Sequence, residues 1–406
     1  MSTTPTARAP QAPSRSRATA EVLLVAGRLG LTSFGGPVAH VGYFRAEYVD
    51  RRRWLGDDDF ADLVGLCQLL PGPASSQLGI AIGMHRAGLL GGLAAWIAFT
   101  APSAAALIAF AALLRGHDVA GAGWVHGLKL VAVAVVAQAV WTMWRSLAPD
   151  RVRSALVVLA ALVLLLWTAP AAQVAVIVAG GVLGRLLLAG RASGAARSSL
   201  DFGVSRRVGT AALAVFAALL LALPLARAAT DGHAVELTDS FYRSGALVFG
   251  GGHVVLPLLE SRVVPPGWVT QEDFLAGYGA AQAVPGPLFT FAAYLGAVER
   301  PSPNGVAGGT VALLAIFLPA FLLVIGTLPF WSGLRRRTSF LAALAGVNAA
   351  VVGLLLAALY DPVFTGAVDT AGDLAVVVAA LAALALWRLP PWAVVAGCAL
   401  AGELLL

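Results

Sequence analysis

The sequence predicts an all-α polytopic membrane protein with about thirteen transmembrane helices, arranged as two inverted-topology repeats that contain broken helices. Three observations support this prediction. They are an excess of apolar residues, a series of apolar stretches of about twenty residues, and an internal repeat that carries two Pro-Gly-Pro sequences. The first argues against a soluble protein, the second sets the number of helices, and the third sets their arrangement.

The composition is typical of a protein embedded in a lipid bilayer. Hydrophobic residues make up 59% of the 406 residues and charged residues 12%, whereas soluble domains carry roughly 25% charged residues. A globule of this length has too little interior to hide the remaining apolar surface. The composition therefore argues against a disordered chain, a disulfide-bonded scaffold and a soluble enzyme.

The positive net charge of +6 does not indicate a nucleic-acid partner. The arginines occur in short clusters between apolar stretches, as in cytoplasmic loop ends. Cys67 and Cys398 lie inside apolar runs and form no CxxC pair, so neither a zinc site nor a disulfide framework is predicted. The histidines lack metal-ligand spacing, and the chain has no Walker loop or nucleophile elbow. We therefore predict no metal, no cofactor and no enzymatic activity.

The N-terminal segment differs from the rest of the chain. Residues 1–18 are rich in Pro, Ser, Thr and Ala and contain arginines but no acid. They predict a disordered, cytoplasmic N-terminus. A cleavable signal peptide is the weaker alternative, because the apolar stretch that follows contains Glu21 and Arg28.

Apolar stretches long enough to cross a bilayer recur along the chain. The candidates are 19–44, 60–83, 88–114, 124–146, 152–168, 171–189, 208–228, 240–260, 273–298, 305–331, 340–360, 371–388 and 390–406. The arginine-rich loops predict a protein of the plasma (inner) membrane with a cytoplasmic N-terminus. The mixed charges of residues 45–59 fit the outer face poorly. A re-entrant hairpin in place of spans one and two is the alternative, and it leaves the later orientations unchanged.

An internal repeat divides the chain. Residues 34–36 (Phe-Gly-Gly) recur at 249–251, and residues 68–73 (Gln-x-x-Pro-Gly-Pro) recur at 282–287. The predicted repeats are residues 19–190 and 240–406, joined by residues 191–239, which form an Arg-rich cytoplasmic linker and one helix that reverses the orientation. Inverted repeats with interrupted helices are typical of secondary transporters, whose substrate binds near the midplane.

The paired Pro-Gly-Pro sequences predict an anion site. Proline lacks a backbone donor and glycine tolerates unusual dihedrals, so each sequence should break a helix. The half-helices after Pro73 and Pro287 would present free N–H groups and the positive ends of their dipoles. A simple kink is the alternative for either break alone, but two breaks at matched positions favour a site.

The candidate substrate contacts surround the four glycine and proline elements. In the first repeat they are Gly35, Gly36, His40, Gln68, Pro71, Gly72, Pro73, Ser75, Ser76 and Gln77. In the second they are Gly250, Gly251, His253, Gln282, Pro285, Gly286, Pro287 and Thr290. The first set is the more polar, which predicts an asymmetric site.

Each polar candidate also has a structural interpretation. A serine or threonine can bond back to the preceding turn. A histidine that could carry protons or pair with an anion can instead bond a helix-end carbonyl. Lys129, near the start of span four, is interpreted as a snorkelling lysine, and Asn348 occupies the corresponding position of the second repeat.

The motifs around these elements resemble those of a known family. Residues 34–40, 67–77, 249–253 and 282–287 are similar to the signatures of the chromate ion transporter family in its long, two-domain form. The resemblance implies export of chromate from the cytoplasm and chromate resistance. It also implies sulfate as a competing or exchanged anion, and coupling to a proton, a counter-anion or the membrane potential.

Several alternatives stay open at this point. The chain could carry sulfate or another oxyanion on the same fold. A membrane-embedded enzyme acting on lipid-linked substrates is the more distant alternative. The apolar Leu288 and Phe289 leave open whether both halves bind substrate. The lipid bilayer is a predicted partner, and an oligomer is compatible with the sequence.

Overall fold

The computed structural model describes residues 15–34, 36–116, 122–167, 170–188, 202–230, 232–249, 254–334 and 337–405. These residues are mainly helical and include no β-strand. The helices are α1 (Arg15–Thr32), α2 (Gly36–Phe44), α3 (Asp57–Leu69), α4 (Ala74–Gly116), α5 (Gly123–Leu147), α6 (Arg151–Leu166), α7 (Pro170–Leu188), α8 (Arg206–Ala229), α9 (His233–Leu247), α10 (Val255–Val263), α11 (Gln271–Ala283), α12 (Phe291–Val298), α13 (Gly305–Thr327), α14 (Trp331–Leu334), α15 (Thr338–Ala358), α16 (Ala371–Ala385) and α17 (Pro391–Leu405).

The chain is an all-α membrane protein, as predicted. Within the described residues, α4, α5, α8, α13 and α15, with their short extensions, are long and apolar enough to cross a bilayer. Shorter apolar helices lie at 172–188, 288–298, 371–385 and 391–404. The count of about thirteen spans is not confirmed.

The described helices break at four places, and two of these are the Pro-Gly-Pro sequences at which a break was predicted. The first break, at Ser33–Gly36, separates α1 from α2, and the second, at Leu70–Pro73, separates α3 from α4. The third follows Val248 at the end of α9. The fourth, at Val284–Pro287, separates α11 from a short 3₁₀ turn that continues into α12. Each break therefore divides a predicted span into two half-helices.

The half-helices of the first repeat return to the end of the molecule from which they start. Glu21, near the start of α1, accepts hydrogen bonds from Arg52 (3.1 Å) and from Arg86 (2.9 Å). The Arg86 guanidinium lies 5.3 Å from the centre of the Trp54 ring. The start of α1, the loop between α2 and α3, and the first part of α4 therefore lie at the same end of the molecule. Helix α4 leaves this end only after its kink at Gly88. These contacts favour re-entrant hairpins over full crossings at 19–44 and 60–83.

The second repeat folds in the same way. His233, at the start of α9, lies 3.1 Å from a Glu299 carboxylate oxygen and packs edge-on against Trp268, with ring centroids 4.6 Å apart. The Arg300 N–H donates to the Trp268 carbonyl at 3.0 Å. Trp268 and Trp54, matched by the internal repeat, both lie at the bases of their hairpins. These contacts likewise favour hairpins over full crossings at 240–260 and 273–298, a difference that hydropathy alone does not record.

The last helices of each repeat pack against the other repeat. Helices α6 and α7 pack on α15 of the second repeat, whereas α16 and α17 pack on α5 of the first. Small residues make these contacts close. Gly346 of α15 meets the backbone at Gly180 of α7, and Gly127 of α5 meets the carbonyl of Cys398 in α17. The two repeats therefore form one interleaved core.

We expect Gly127→Val to destabilise the protein. A Cβ at Gly127 would overlap the Cys398 carbonyl, whereas nothing lies within 4 Å of a Cβ at Gly397 on the facing helix. Overpacking of this kind costs about 1–3 kcal/mol, so the melting temperature of the purified protein in detergent should fall by several degrees. Gly397→Val is the matched control, and equal melting temperatures for the two variants would contradict the packing of α5 on α17.

Candidate functional site

Two hydrogen bonds join the four helix breaks in pairs, and each bond crosses between the repeats. The Gly72 N–H donates to the Val248 carbonyl at 2.6 Å, and the Gly286 N–H donates to the Ser33 carbonyl at 2.9 Å. Val248 and Ser33 occupy matched positions, each directly before a Phe-Gly-Gly element. Each Pro-Gly-Pro turn is thus bonded to the opposite repeat.

Both Pro-Gly-Pro glycines adopt backbone conformations that favour glycine and are tightly enclosed. Gly72 has φ +119° and Gly286 has φ +103°. A Cβ at Gly72 would lie 2.9 Å from Gln77 Nε2, and one at Gly286 would lie 2.8 Å from Ser103 Oγ. Ser103 and Ala320, the other neighbour of Gly72, each follow a proline inside α4 or α13. Each turn therefore rests against a proline-containing helix of the opposite repeat.

His40 has one ring nitrogen bonded and one unpartnered. Its Nε2 lies 3.2 Å from the Ser33 carbonyl, which can only accept, so Nε2 carries a hydrogen. Its Nδ1 is buried and has no hydrogen-bond partner among the described residues. The ring packs edge-on against Phe99, with centroids 5.4 Å apart. Nε2 therefore bonds a carbonyl at the end of a helix, as the structural interpretation of this histidine expected. Nδ1 is available to take up a proton and, once protonated, to donate a hydrogen bond to an anion.

The first turn of α4 supplies donors at the second break. Ser75, Ser76 and Gln77 are buried there, and the first N–H groups of a helix have no acceptor within it. Ser76 Oγ and Gln77 Oε1 have no partner in the described part of the chain. Gln77 Nε2 donates to the Pro71 carbonyl at 2.7 Å. The positive end of α4 thus faces the break together with polar side chains.

The matching turn of the second repeat is less polar. The Thr290 hydroxyl and N–H both donate to the Pro287 carbonyl, at 2.7 and 3.0 Å. Thr290 therefore follows the structural interpretation, and Leu288 and Phe289 beside it are buried and apolar. Gln282 Nε2 is buried and unpartnered within the described ranges. The two turns therefore differ in polarity, and the asymmetric substrate site stays a prediction.

The remaining candidates fall into three groups. Gly36, Pro71, Pro73, Pro285 and Pro287 belong to the breaks themselves. Gln68, on α3 just before the second break, has an exposed side chain. Gly35, Gly250, Gly251 and His253 lie outside the described residues, so their roles stay predictions.

Two further polar residues belong to the site although the sequence analysis did not single them out. Ser33 Oγ and Thr100 Oγ1 are buried and, within the residues described, have no partner. Leaving a buried polar atom unpaired costs about 1–3 kcal/mol, so such atoms beside helix breaks point to a polar ligand. Two features of the sequence could have identified these residues. Ser33 directly precedes Phe-Gly-Gly, and Thr100 lies two residues before Pro102, at a position where the second repeat has Phe317.

The chemistry of these groups suits an anion. The polar side chains at the breaks are hydroxyls, amides and an imidazole, accompanied by N–H groups at the start of α4. Charge-assisted hydrogen bonds from such donors bind oxyanions without a metal bridge. In the described part of the chain, no three His, Cys, Asp or Glu residues group closely enough to hold a metal ion.

Broken helices that gather donors inside an all-α membrane protein are characteristic of membrane transporters. The chain belongs to the chromate transporter family, whose model matches residues 20–185 and 235–403. It is 29% identical to the chromate transport protein of Pseudomonas aeruginosa over 82% of this chain and 78% of that protein. It is 27% identical to the chromate transport protein of Cupriavidus metallidurans over 92% and 90% of the two chains. No solved structure matches.

Proposed function

We propose that the protein is a secondary active transporter that exports chromate from the cytoplasm by alternating access and thereby confers chromate resistance. The observation that carries the proposal is the pair of crossed hydrogen bonds that joins Gly72 to Val248 and Gly286 to Ser33. Each bond ties a Pro-Gly-Pro turn of one repeat to the residue before the Phe-Gly-Gly element of the other repeat. The names of the relatives in Pseudomonas aeruginosa and Cupriavidus metallidurans supply the substrate.

The proposed topology is inverted. The hairpins return to the face from which they start, and the second half of α4 is followed by α5, α6, α7 and α8 before the second repeat begins. If each of these crosses once, the number of crossings is odd, so repeats 19–190 and 240–406 enter from opposite faces. The arginine-rich segment 191–207 then lies in the cytoplasm together with the N-terminus, and the protein lies in the plasma (inner) membrane.

The proposed mechanism uses the two hairpin pairs as alternating gates. Chromate is a tetrahedral dianion, and its oxygens would accept from N–H groups at the start of α4 and from Ser75, Ser76, Gln77 and Gln282. His40 would pair with the negative charge or carry the coupling proton, with a counter-anion as the other coupling ion. Sulfate has the same shape and charge and would compete for this site, so a sulfate or other oxyanion transporter is the alternative.

Transport into everted membrane vesicles tests the proposal. Vesicles energised with a respiratory substrate should accumulate chromate, and excess sulfate should inhibit the accumulation. Replacing Pro71 and Pro73 by alanine should straighten the second break and lower the rate by at least about tenfold, because displacing a site by about 1 Å can cost a hundredfold. The matched control replaces Pro265 and Pro266, which lie in an exposed loop.

The outcomes separate the alternatives. Equal membrane levels and loss of accumulation only in the Pro71 and Pro73 variant would support both substrate and site. Energised vesicles that accumulate sulfate but no chromate would contradict the proposed substrate. Accumulation of chromate unchanged by the loss of both prolines would contradict the proposed site.

A further inference from the structure

The base of the first hairpin holds a carboxylate among arginines. Glu47, in the loop between α2 and α3, is buried. Its carboxylate accepts hydrogen bonds from Arg51 at 3.1 Å and from Arg52 at 3.0 Å. An Arg28 guanidinium nitrogen lies 3.9 Å from the same carboxylate. The chain therefore supplies its own anion at this place in the first repeat.

The second repeat has an arginine where the first repeat has Glu47. Arg243 lies six residues before the second Phe-Gly-Gly element, as Arg28 lies six residues before the first. Arg262 lies 13 residues after the phenylalanine of the second element, as Glu47 does after that of the first. Counted back from the matched tryptophans, the equivalent of Glu47 is Ser261. By either count, the second repeat has no carboxylate at this position.

Arg262 carries a positive charge that its neighbours do not neutralise. It is half-buried near the end of α10 and makes no hydrogen bond or ion pair with any described residue. The buried Asp239 carboxylate lies 3.2 Å from Arg243 and 3.8 Å from Arg227. Asp239 attracts Arg262, whereas the other two arginines repel it. Because Arg227 also pairs with Glu236, three arginines meet two carboxylates, and the unpaired one is Arg262.

The other carboxylates close to this group have different neighbours. Glu299 lies 3.1 Å from a ring nitrogen of His233. Glu260 precedes Arg262 by two residues, or about 200° of rotation around the helix, and it is repelled by Asp361. Neither carboxylate therefore replaces the Glu47 contact of the first repeat.

A buried hydroxyl accompanies Arg262. Ser244 Oγ of α9 lies 3.5 Å from the Leu258 carbonyl of α10. The two half-helices of a hairpin run in opposite directions, so one further turn along each places Ser240 opposite Arg262. Ser240 is fully buried, and its Oγ has no hydrogen-bond partner among the described residues. A hydroxyl and a guanidinium can both donate to an anion.

We propose that Arg262, with Arg243 and Ser240, binds a divalent tetrahedral oxyanion at the base of the second hairpin. Arginine suits such an anion, because its fork of N–H groups donates two parallel hydrogen bonds. From the start of α10 to Arg262 is about 10 Å of helix rise, so this site is separate from the one at the helix breaks. The choice of ligand rests on the proposed function. The inverted repeats of that proposal place this base and Glu47 at opposite membrane faces.

The first test measures binding without transport. The purified protein in detergent is dialysed to equilibrium against radiolabelled sulfate at low ionic strength. We expect Arg262→Gln to weaken one class of sulfate site at least tenfold, because charge-assisted hydrogen bonds are lost, and Arg262→Lys to weaken it less. Arg151→Gln is the matched control, since it removes the same charge from an exposed arginine that has no ion pair in the described ranges. Its sulfate binding should equal that of the unaltered protein.

The second test asks whether sulfate can take the place of the Glu47 carboxylate. We expect Glu47→Gln to lower the melting temperature by several degrees in chloride, because Arg51 and Arg52 lose their partner. Sulfate at equal ionic strength should restore at least half of this loss. Glu272→Gln, at an exposed carboxylate of α11, is the control for the general stabilisation that sulfate gives to proteins.

The outcomes are distinct. Sulfate binding by Arg262→Gln equal to that of Arg151→Gln would overturn the inference. Sulfate that stabilises Glu47→Gln no more than Glu272→Gln would overturn the match between the two hairpin bases on which it depends. Absence of chromate transport by the unaltered protein, with sulfate binding that still depends on Arg262, would contradict the proposed function alone.

Discussion

Replacing Gly286 by alanine is expected to lower chromate transport by at least about tenfold at normal membrane levels. The glycine has φ +103°, where an L side chain costs about 1–2 kcal/mol. The added Cβ would also lie 2.8 Å from Ser103 Oγ and 3.2 Å from the Phe99 carbonyl oxygen. The Phe99 backbone cannot yield freely, because its ring packs against His40.

The consequence should be displacement of the turn from the opposite repeat. The Gly286 N–H would lose its alignment with the Ser33 carbonyl, which also holds His40. Gly72→Ala should show a smaller loss, because its nearest neighbour is the flexible Gln77 side chain. The rate of chromate uptake into everted vesicles measures both effects, and the amount of each variant is taken from quantitative blotting.

Gly267→Ala is the control for backbone strain. Gly267 has φ +78°, but nothing lies within 4 Å of a Cβ built there. It lies in the loop between α10 and α11, away from the breaks. We expect a modest loss of stability and nearly unchanged transport. A Gly286→Ala protein that transports as well as Gly267→Ala would show that the close contact at the turn has no role in transport.

His40→Gln is expected to abolish most chromate transport without unfolding the protein. The glutamine amide can donate to the Ser33 carbonyl as Nε2 does, at 3.2 Å in the structure. It cannot supply a protonatable nitrogen in place of the buried, unpartnered Nδ1. We therefore expect at least a tenfold lower rate of uptake, with a melting temperature close to that of the unaltered protein.

Two companion variants separate function from folding at this position. His40→Leu removes both nitrogens and leaves the Ser33 carbonyl with one donor fewer, so its melting temperature should fall as well. His85→Gln makes the same substitution at a half-buried position of α4 and should transport normally. If His40→Gln transported at the full rate, the proposed role of His40 in binding or proton transfer would be wrong.

The membrane class, the internal repeat and the two breaks at Pro-Gly-Pro could be predicted from the sequence alone, whereas the breaks at the Phe-Gly-Gly elements could not. Each predicted feature depends on local or compositional properties. Proline and glycine alter the backbone where they occur, and a long apolar stretch requires a lipid environment regardless of its partners. The family resemblance followed from the same elements and was confirmed by the family match at 20–185 and 235–403.

The tertiary structure decided how the half-helices run and pair. Hydropathy measures apolar length but not direction, so only contacts such as that of Glu21 with Arg86 distinguish a hairpin from a crossing. The crossed bonds of Gly72 and Gly286 join residues far apart in the chain, and they depend on the packing of both repeats together.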